Sequence, residues 1–397
     1  MNCKILKISL VVCAGMLCQL GLIAQADEAS TIVPMKKSTM LNKTTPDDWP
    51  QFRIDSENLG TIGKTEIQDP ELAWRYDTGE VIESSAAVYK GLVFIGGHAK
   101  RLHALDATTG KLKWKFDVGG WVRASPSVVG GVVYFGADDN KFYALEAATG
   151  KKLWDFPLGE GGEQSSPAIV DGIVYFGAFD HFVYALDAKT GKQKWKFDAR
   201  ASMLSSPCVA DGALYVTTYD GEIFCIETET GKERWAKKMG DKPMFSSPAV
   251  ADGRVFFTSY DSFLYAYDCK SGEEVWKYKT DGEIFSSPAV SRGIVYVGSH
   301  DRRLHAVKAD DGKLQWKTEI GGAVYSSPTI TEKSVYVGSS DGKFYALNRD
   351  KGDIRWKFLV KDDTRIWTSA AAINGRLYFG SHGGEVVALA EKSTEEK

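Results

Sequence analysis

Short apolar runs recur along the chain between turn signals, and none follows the 3.6-residue period of an amphipathic helix. One stretch shows the pattern: Ser125 to Val129, Val132 to Ala137, Lys141 to Glu146 and Lys151 to Phe156 read as four short strands. Gly-Gly, Asp-Asn and Thr-Gly turns separate them. The third run, Phe142-Tyr143-Ala144-Leu145, is apolar at consecutive positions, which requires cover on both faces of that strand.

The four-strand pattern repeats. Trp74, Trp114, Trp154, Trp195, Trp235, Trp276, Trp316 and Trp356 follow one another at spacings of 40 or 41 residues. A second landmark keeps step as Ser85-Ala86, Ser125-Pro126, Ser166-Pro167, Ser206-Pro207, Ser247-Pro248, Ser287-Pro288, Ser327-Pro328 and Ser369-Ala370. Eight units of four strands, each needing neighbours on both faces, predict an all-β, eight-bladed β-propeller of four-stranded antiparallel blades. The Ser-Pro pair suits the innermost strand, where eight segments crowd the axis and the strand edge has no partner on the channel side. Trp74 precedes the first Ser-Ala pair, while the last unit offers only three strands, near Thr368 to Ile373, Arg376 to Ser381 and Glu385 to Leu389. An N-terminal strand, Leu72 to Tyr76, is therefore expected to complete the last blade and close the ring.

The run from Ala104 to Trp114, Ala-Leu-Asp-Ala-Thr-Thr-Gly-Lys-Leu-Lys-Trp, recurs at Ala185 to Trp195 and with variation at Ala144 to Trp154, Ala266 to Trp276 and Ala346 to Trp356. It resembles the tryptophan-docking repeat of the pyrroloquinoline-quinone (PQQ) type propellers, a family of quinoprotein dehydrogenases and BamB-like outer-membrane assembly proteins. The resemblance spans about Trp49 to Leu389 and implies that each outer-strand Trp packs on the neighbouring blade. It leaves function open, because the family holds enzymes and non-enzymes. A quinoprotein dehydrogenase, the resemblance implies, needs calcium on oxygen ligands, an Asp base and commonly a vicinal Cys pair. No two Cys are adjacent here, and no catalytic residue matches that set.

Composition narrows the setting. Lys4 and Lys7, an apolar stretch from Ile8 to Ala24 and Ala24-Gln25-Ala26 read as a signal peptide over 1–26, with Asp27 as mature N-terminus. Leu17 precedes Cys18 and Val12 precedes Cys13, so the small residue that a lipid-anchor site needs is missing, and a soluble periplasmic or secreted protein is expected. A flexible lead-in at 27–47, the propeller at 48–390 and a polar tail at 391–397 complete the layout. No later stretch is long and apolar enough for a transmembrane helix. The formal net charge of −3 with no basic run excludes a nucleic-acid partner. Cys208, Cys225 and Cys269 lie inside strand-like segments as small hydrophobes.

Loops entering the innermost strands and loops joining strands two and three share one face, the channel mouth. Candidate ligand-binding residues there are Glu83, Trp121, Arg123, Glu163, Gln164, Arg365 and Trp367, with Met203, Phe245, Phe285 and Tyr325 beside them. Arg offers bidentate contacts and Trp a stacking plane. Asp139, Asp180, Asp220, Asp261, Asp301 and Asp341 recur in the hairpins, where an Asp serves a tight turn better than a cation ring. The six His show no zinc-ligand spacing, no metal is expected, and no hydrolase, P-loop or dinucleotide motif occurs. Asp48-Trp49-Pro50-Gln51-Phe52-Arg53 is expected to clamp the ring seam. The expected function is that of an exported, monomeric, non-catalytic scaffold that binds a protein or peptide partner or a small ligand, through the mouth or the outer strand edges. The alternatives are a PQQ- and calcium-dependent dehydrogenase and a carbohydrate-binding or carbohydrate-cleaving propeller.

Overall fold

A computed structural model describes residues 55, 57–60, 65–162 and 165–393. The expected signal peptide, lead-in and 48–53 clamp lie outside the described residues. Thirty-two strands form eight four-stranded antiparallel sheets, and the described residues contain no helix. Blade 2 holds Ser127–Val129, Val132–Ala137, Lys141–Glu146 and Lys152–Pro157 from axis to rim, and blades 1 to 7 repeat that order. Blade 8 takes Ala371–Ile373, Arg376–Gly380 and Glu385–Glu391 from the C-terminal end and its outer strand, Pro70–Asp77, from the N-terminal end. The pairing Trp74 to Ala388 repeats the register of Trp114 with Ala104 in blade 1.

The third strands lie between blades and are buried through their centres, as Leu102–Leu105 and Phe142–Leu145 show. The core is a series of clusters, most shared by two neighbouring blades. In one, Phe94 and Ala104 of blade 1 meet Val133 and Phe135 of blade 2. Phe142 of blade 2 stacks on Phe176 of blade 3 with ring centres 4.1 Å apart.

Each outer-strand Trp donates its indole N–H to a carbonyl about 33 residues on, in the next blade. Trp74 bonds Ala107, Trp114 bonds Ala147, Trp195 bonds Thr228, and Trp154, Trp235, Trp276 and Trp316 follow suit. Trp356 closes the circle on Ile67 at 2.7 Å. Close approach explains the Gly of the repeat: Gly110 has φ of +70°, and a Cβ there would sit 2.6 Å from Cδ2 of Trp74.

Two expectations need correction. The innermost strands begin two residues later than predicted, at Ser127 in blade 2, because the Ser125 amide is used between blades instead of within its own sheet. Their channel-side edges are also not free throughout. Residues 57–60 run along them, and the amides of Val250, Val290 and Ile330 donate to the carbonyls of Glu57, Leu59 and Gly60. Asn58, at φ of 54°, adds side-chain N–H bonds to the Pro207 and Pro248 carbonyls. The segment then reaches blade 7, where the Glu66 carboxylate accepts from Thr331, Ser334, Arg355 and the Lys333 amide.

Candidate functional site

The segments that lead into the innermost strands alternate with period two, which sets their side chains on opposite sides. Three residues before the ring serine, Ile82, Val122, Met203, Met244, Ile284, Val324 and Ile366 are buried. They wedge into the preceding blade: a Cβ on Gly298 would lie 2.3 Å from Cγ1 of Val324. One residue before the serine, in every blade but the second, which has Ala124, a hydroxyl stands, and Ser84 clamps its own blade by accepting from the Gly96 amide and donating to the Gly96 carbonyl. With both flanking positions anchored inward, the serine and the residue two before it must face the channel.

The serines form a closed neck. The amide of Ser85 donates to Oγ of Ser125 at 2.9 Å, Ser125 donates likewise to Ser166, and the chain continues through Ser206, Ser247, Ser287, Ser327 and Ser369. The Ser369 amide returns to Oγ of Ser85 at 3.0 Å. Among the described residues no acceptor takes a hydrogen from any of the eight ring hydroxyls. They border a cavity of about 260 Å³, walled above by Glu83, Arg123, Leu204, Phe245, Phe285, Tyr325 and Trp367.

Those walls fall into two arcs. From blade 5 to blade 8, Phe245 stacks on Phe285 (5.0 Å) and Tyr325 on Trp367 (4.5 Å), while hairpin-tip rings extend the arc. Tyr219 and Tyr260 meet Phe245, His300 lies 4.3 Å from Tyr325, and His382 lies 4.1 Å from Trp367. Blades 1 and 2 supply the polar arc. Glu83 faces His98 at 3.2 Å, and Arg123 bonds Asp138 at 2.7 Å. Trp121 stacks flat on His98 and lies 5.3 Å from the Arg123 guanidinium. Burial raises the Asp138 carboxyl above the ordinary range against the pull of Arg123, and burial lowers His300 and His382.

Several polar atoms of the mouth are buried without a hydrogen-bond partner among the described residues. Arg123 Nε and Trp367 Nε1 belong to the cavity wall, Asp138 Oδ1 and His300 Nε2 to residues behind it, and Thr364 Oγ1 and His382 Nε2 to the rim beside it. Leaving such groups unpaired costs about 1–3 kcal/mol each.

Of the residues expected at the mouth, Glu83, Arg123 and Trp367 line the cavity. Trp121 stands on the rim, 40% exposed. Arg365 belongs to a separate rim pocket of about 520 Å³ with Lys361, Thr364 and His382. Glu163 and Gln164 lie outside the described residues. Met203, expected at the mouth, is instead fully buried between blades, and Leu204 takes the lining position. Counting two residues back from every ring serine would have found Leu204. The repeated Asp residues are turn elements: Tyr143, Tyr184, Tyr265 and Tyr345 donate to Asp139, Asp180, Asp261 and Asp341, and His305 pairs with Asp301. No group of three or more His, Cys, Asp or Glu among the described residues is arranged to hold a metal ion. Cys208 and Cys225 pack in the core shared by blades 4 and 5, with Cys269 against it.

This geometry defines a propeller with a closed neck and a non-repeating mouth. A family profile described as outer membrane protein assembly factor BamB matches residues 59–196 and 280–396, well over half of the chain, and the chain belongs to that family of PQQ-type propeller repeats. A second profile, the β-propeller of beta-alanine-activating enzyme, matches residues 164–332. No curated protein sequence matches. Among solved structures, a europium-containing methanol dehydrogenase superposes with a TM-score of 0.76 at 15% identity, covering 87% of this chain and 98% of that one. BamB from Moraxella catarrhalis does so at 0.69 and 18%, covering 81% and 99%. The quinohemoprotein alcohol dehydrogenase of Comamonas testosteroni gives 0.75 and 17%, covering 88% and 82%. At these identities the likeness is one of fold.

Proposed function

We propose that this chain is an exported, monomeric, non-catalytic propeller of the cell envelope, which seats a protein or peptide partner or a small ligand in its mouth. A role like that of an outer-membrane assembly factor fits the family. One observation carries the reading: above a neck identical in all eight blades, the described wall residues run from charged through aliphatic to aromatic, and two of them, Arg123 and Trp367, hold buried side-chain nitrogens without a partner among the described residues. The outer strand edges compete less well. They carry Lys113 and Lys115, Lys194 and Lys196, and Lys277 and Lys279, the charges that keep edge strands from pairing with other chains.

PQQ with calcium does not fit the residues present. Among the described residues the wall charges at the cavity are Glu83 and Arg123, engaged by His98 and Asp138, no wall oxygens cluster there for a calcium ion, and Cys208, Cys225 and Cys269 lie in or against the core. The test has two parts. A photo-reactive phenylalanine analogue at Leu204 is expected to cross-link envelope components, and the same group at Leu314, 42% exposed on an outer strand, is not. Purified protein given PQQ and calcium is expected to show no dye-linked alcohol oxidation. Turnover, or cross-links from position 314 alone, overturns the proposal.

A further inference from the structure

The mouth is neither an apolar socket nor an ion site. Its aromatic arc offers stacked rings, Phe245 on Phe285 and Tyr325 on Trp367. Its lining offers polar groups of both kinds, with unpaired donors among the described residues at Trp367 Nε1 and Arg123 Nε, the carboxylate of Glu83 as acceptor and the Tyr325 hydroxyl able to serve as either. Beneath them stand the neck hydroxyls, whose hydrogens meet no acceptor among the described residues. Charge gives no preference for an ion, because Glu83 is faced by His98 and Asp138 is bonded by Arg123. An apolar peptide side chain would cover the rings and leave the donors and acceptors unpaired. An anion would satisfy the donors alone.

We infer that the mouth receives a sugar ring, either a free saccharide or the terminal residue of a glycan. This inference deepens the reading of the mouth as the binding site and rests on it. A pyranose has an apolar C–H face that lies on aromatic rings and a rim of hydroxyls that both give and accept hydrogen bonds, the combination the two arcs present. The volume of about 260 Å³ is at the small end of ligand cavities, room for one ring with the rest of a chain held outside the mouth. Residues 57–60, bonded to the innermost strands of blades 5 to 7, narrow the channel.

The test uses saturation-transfer NMR and calorimetry with N-acetylglucosamine and methyl β-glucopyranoside as free saccharides, and β-1,4-linked tetramers of each as glycan ends. Binding of a monosaccharide as tight as its tetramer points to the free saccharide, and binding of the tetramer alone points to a glycan end; both support the inference. Trp367→Phe keeps the stacking plane but loses the N–H, and is expected to weaken binding about tenfold. Leu204→Arg fills the cavity and is expected to abolish binding with an unaltered melting temperature. The inference is overturned if no sugar shows saturation transfer at about 10 mM, where a site with Kd of about 1 mM would be mostly filled. Binding that survives Leu204→Arg overturns it equally. If position 204 still cross-links a protein while every sugar fails, the sugar falls and the mouth reading stands; cross-links from position 314 alone remove both.

Discussion

The neck serines and the wall residues two positions before them come from the same eight segments, yet they differ in every respect that matters for function. The neck is one residue type repeated eight times, each backbone amide satisfied by the next blade's hydroxyl. The wall runs from Glu83 and Arg123 through Leu204 to Phe245, Phe285, Tyr325 and Trp367. The neck position is dictated by geometry that every blade shares, since segments crowding the axis admit only a small side chain able to bridge to its neighbour. The wall position carries no such duty, because the buried residue on one side and the hydroxyl clamp, or the buried Ala124 in blade 2, on the other already hold the segment. In this molecule repetition builds the ring, and departure from repetition builds the site.

The sharpest test of the first half of that contrast is to open the ring. Removing residues 27–77 takes away the outer strand of blade 8, the Ile67 carbonyl that accepts from Trp356 and the Glu66 carboxylate on blade 7. The truncated chain is expected to aggregate, exposing the unpaired edge of Glu385–Glu391. A soluble monomer with unchanged melting would show that the ring closes without this strand. Next in size is Trp195→Ala, expected to cost about 3–5 kcal/mol in chemical denaturation. It removes the ring packed on Gly231 and the bond to the Thr228 carbonyl. A loss below about 1 kcal/mol would mean that the Trp positions decorate the rim and do not join blades.

The neck and the wall separate in a pair of substitutions. Ser247→Ala deprives the buried Ser206 amide of its acceptor and is expected to cost about 1–3 kcal/mol. Leu204→Ala, on a half-buried wall residue, is expected to cost less than about 1 kcal/mol while altering what the mouth holds. Equal losses in thermal melts would erase the distinction between the tiers.

The sequence made the repeated half legible and the departing half only partly so. Trp spacing, Ser-Pro pairs and an unspent Trp74 predict blade number, strand order and closure, and the pairing of Trp74 with Ala388 agrees. The mouth was harder to read because its residues differ from blade to blade and periodicity gives no handle on them. Met203 was expected at the mouth although only its neighbour Leu204 has the right parity, and Trp121, chosen for its ring, lies on the rim. The segment at 57–60 carries no repeat and was invisible, since its hold is mostly backbone bonding with one Asn side chain.

The smallest predicted effect concerns a repeated position where blade 1 lacks the hairpin carboxylate. On the third strands of blades 2, 3, 5 and 7 a Tyr donates to the hairpin Asp four residues earlier. Blade 1 has His103 there with Ala99 in place of the Asp, and its Nδ1 is buried without a partner among the described residues. Burial, with Arg101 and Lys115 nearby, lowers the imidazole to about 4. The unfolded chain, with an imidazole near 6.5, therefore binds more protons than the folded one between these values, and stability falls as pH drops through that window. At pH 5.5 the deficit is about 1 kcal/mol, and above about pH 7.5 it vanishes. His103→Phe puts in the residue that blade 4 carries as the fully buried Phe224, and it removes this titration while leaving the carboxylates untouched. Urea denaturation at pH 5.5 and 7.5 should show the variant gaining about 1 kcal/mol over the natural protein at the lower pH relative to the higher. Parallel pH curves for the two proteins would mean that His103 protonates as readily in the folded ring as outside it, and that blade 1 tolerates a charge where blades 2, 3, 4, 5 and 7 keep a Tyr or Phe.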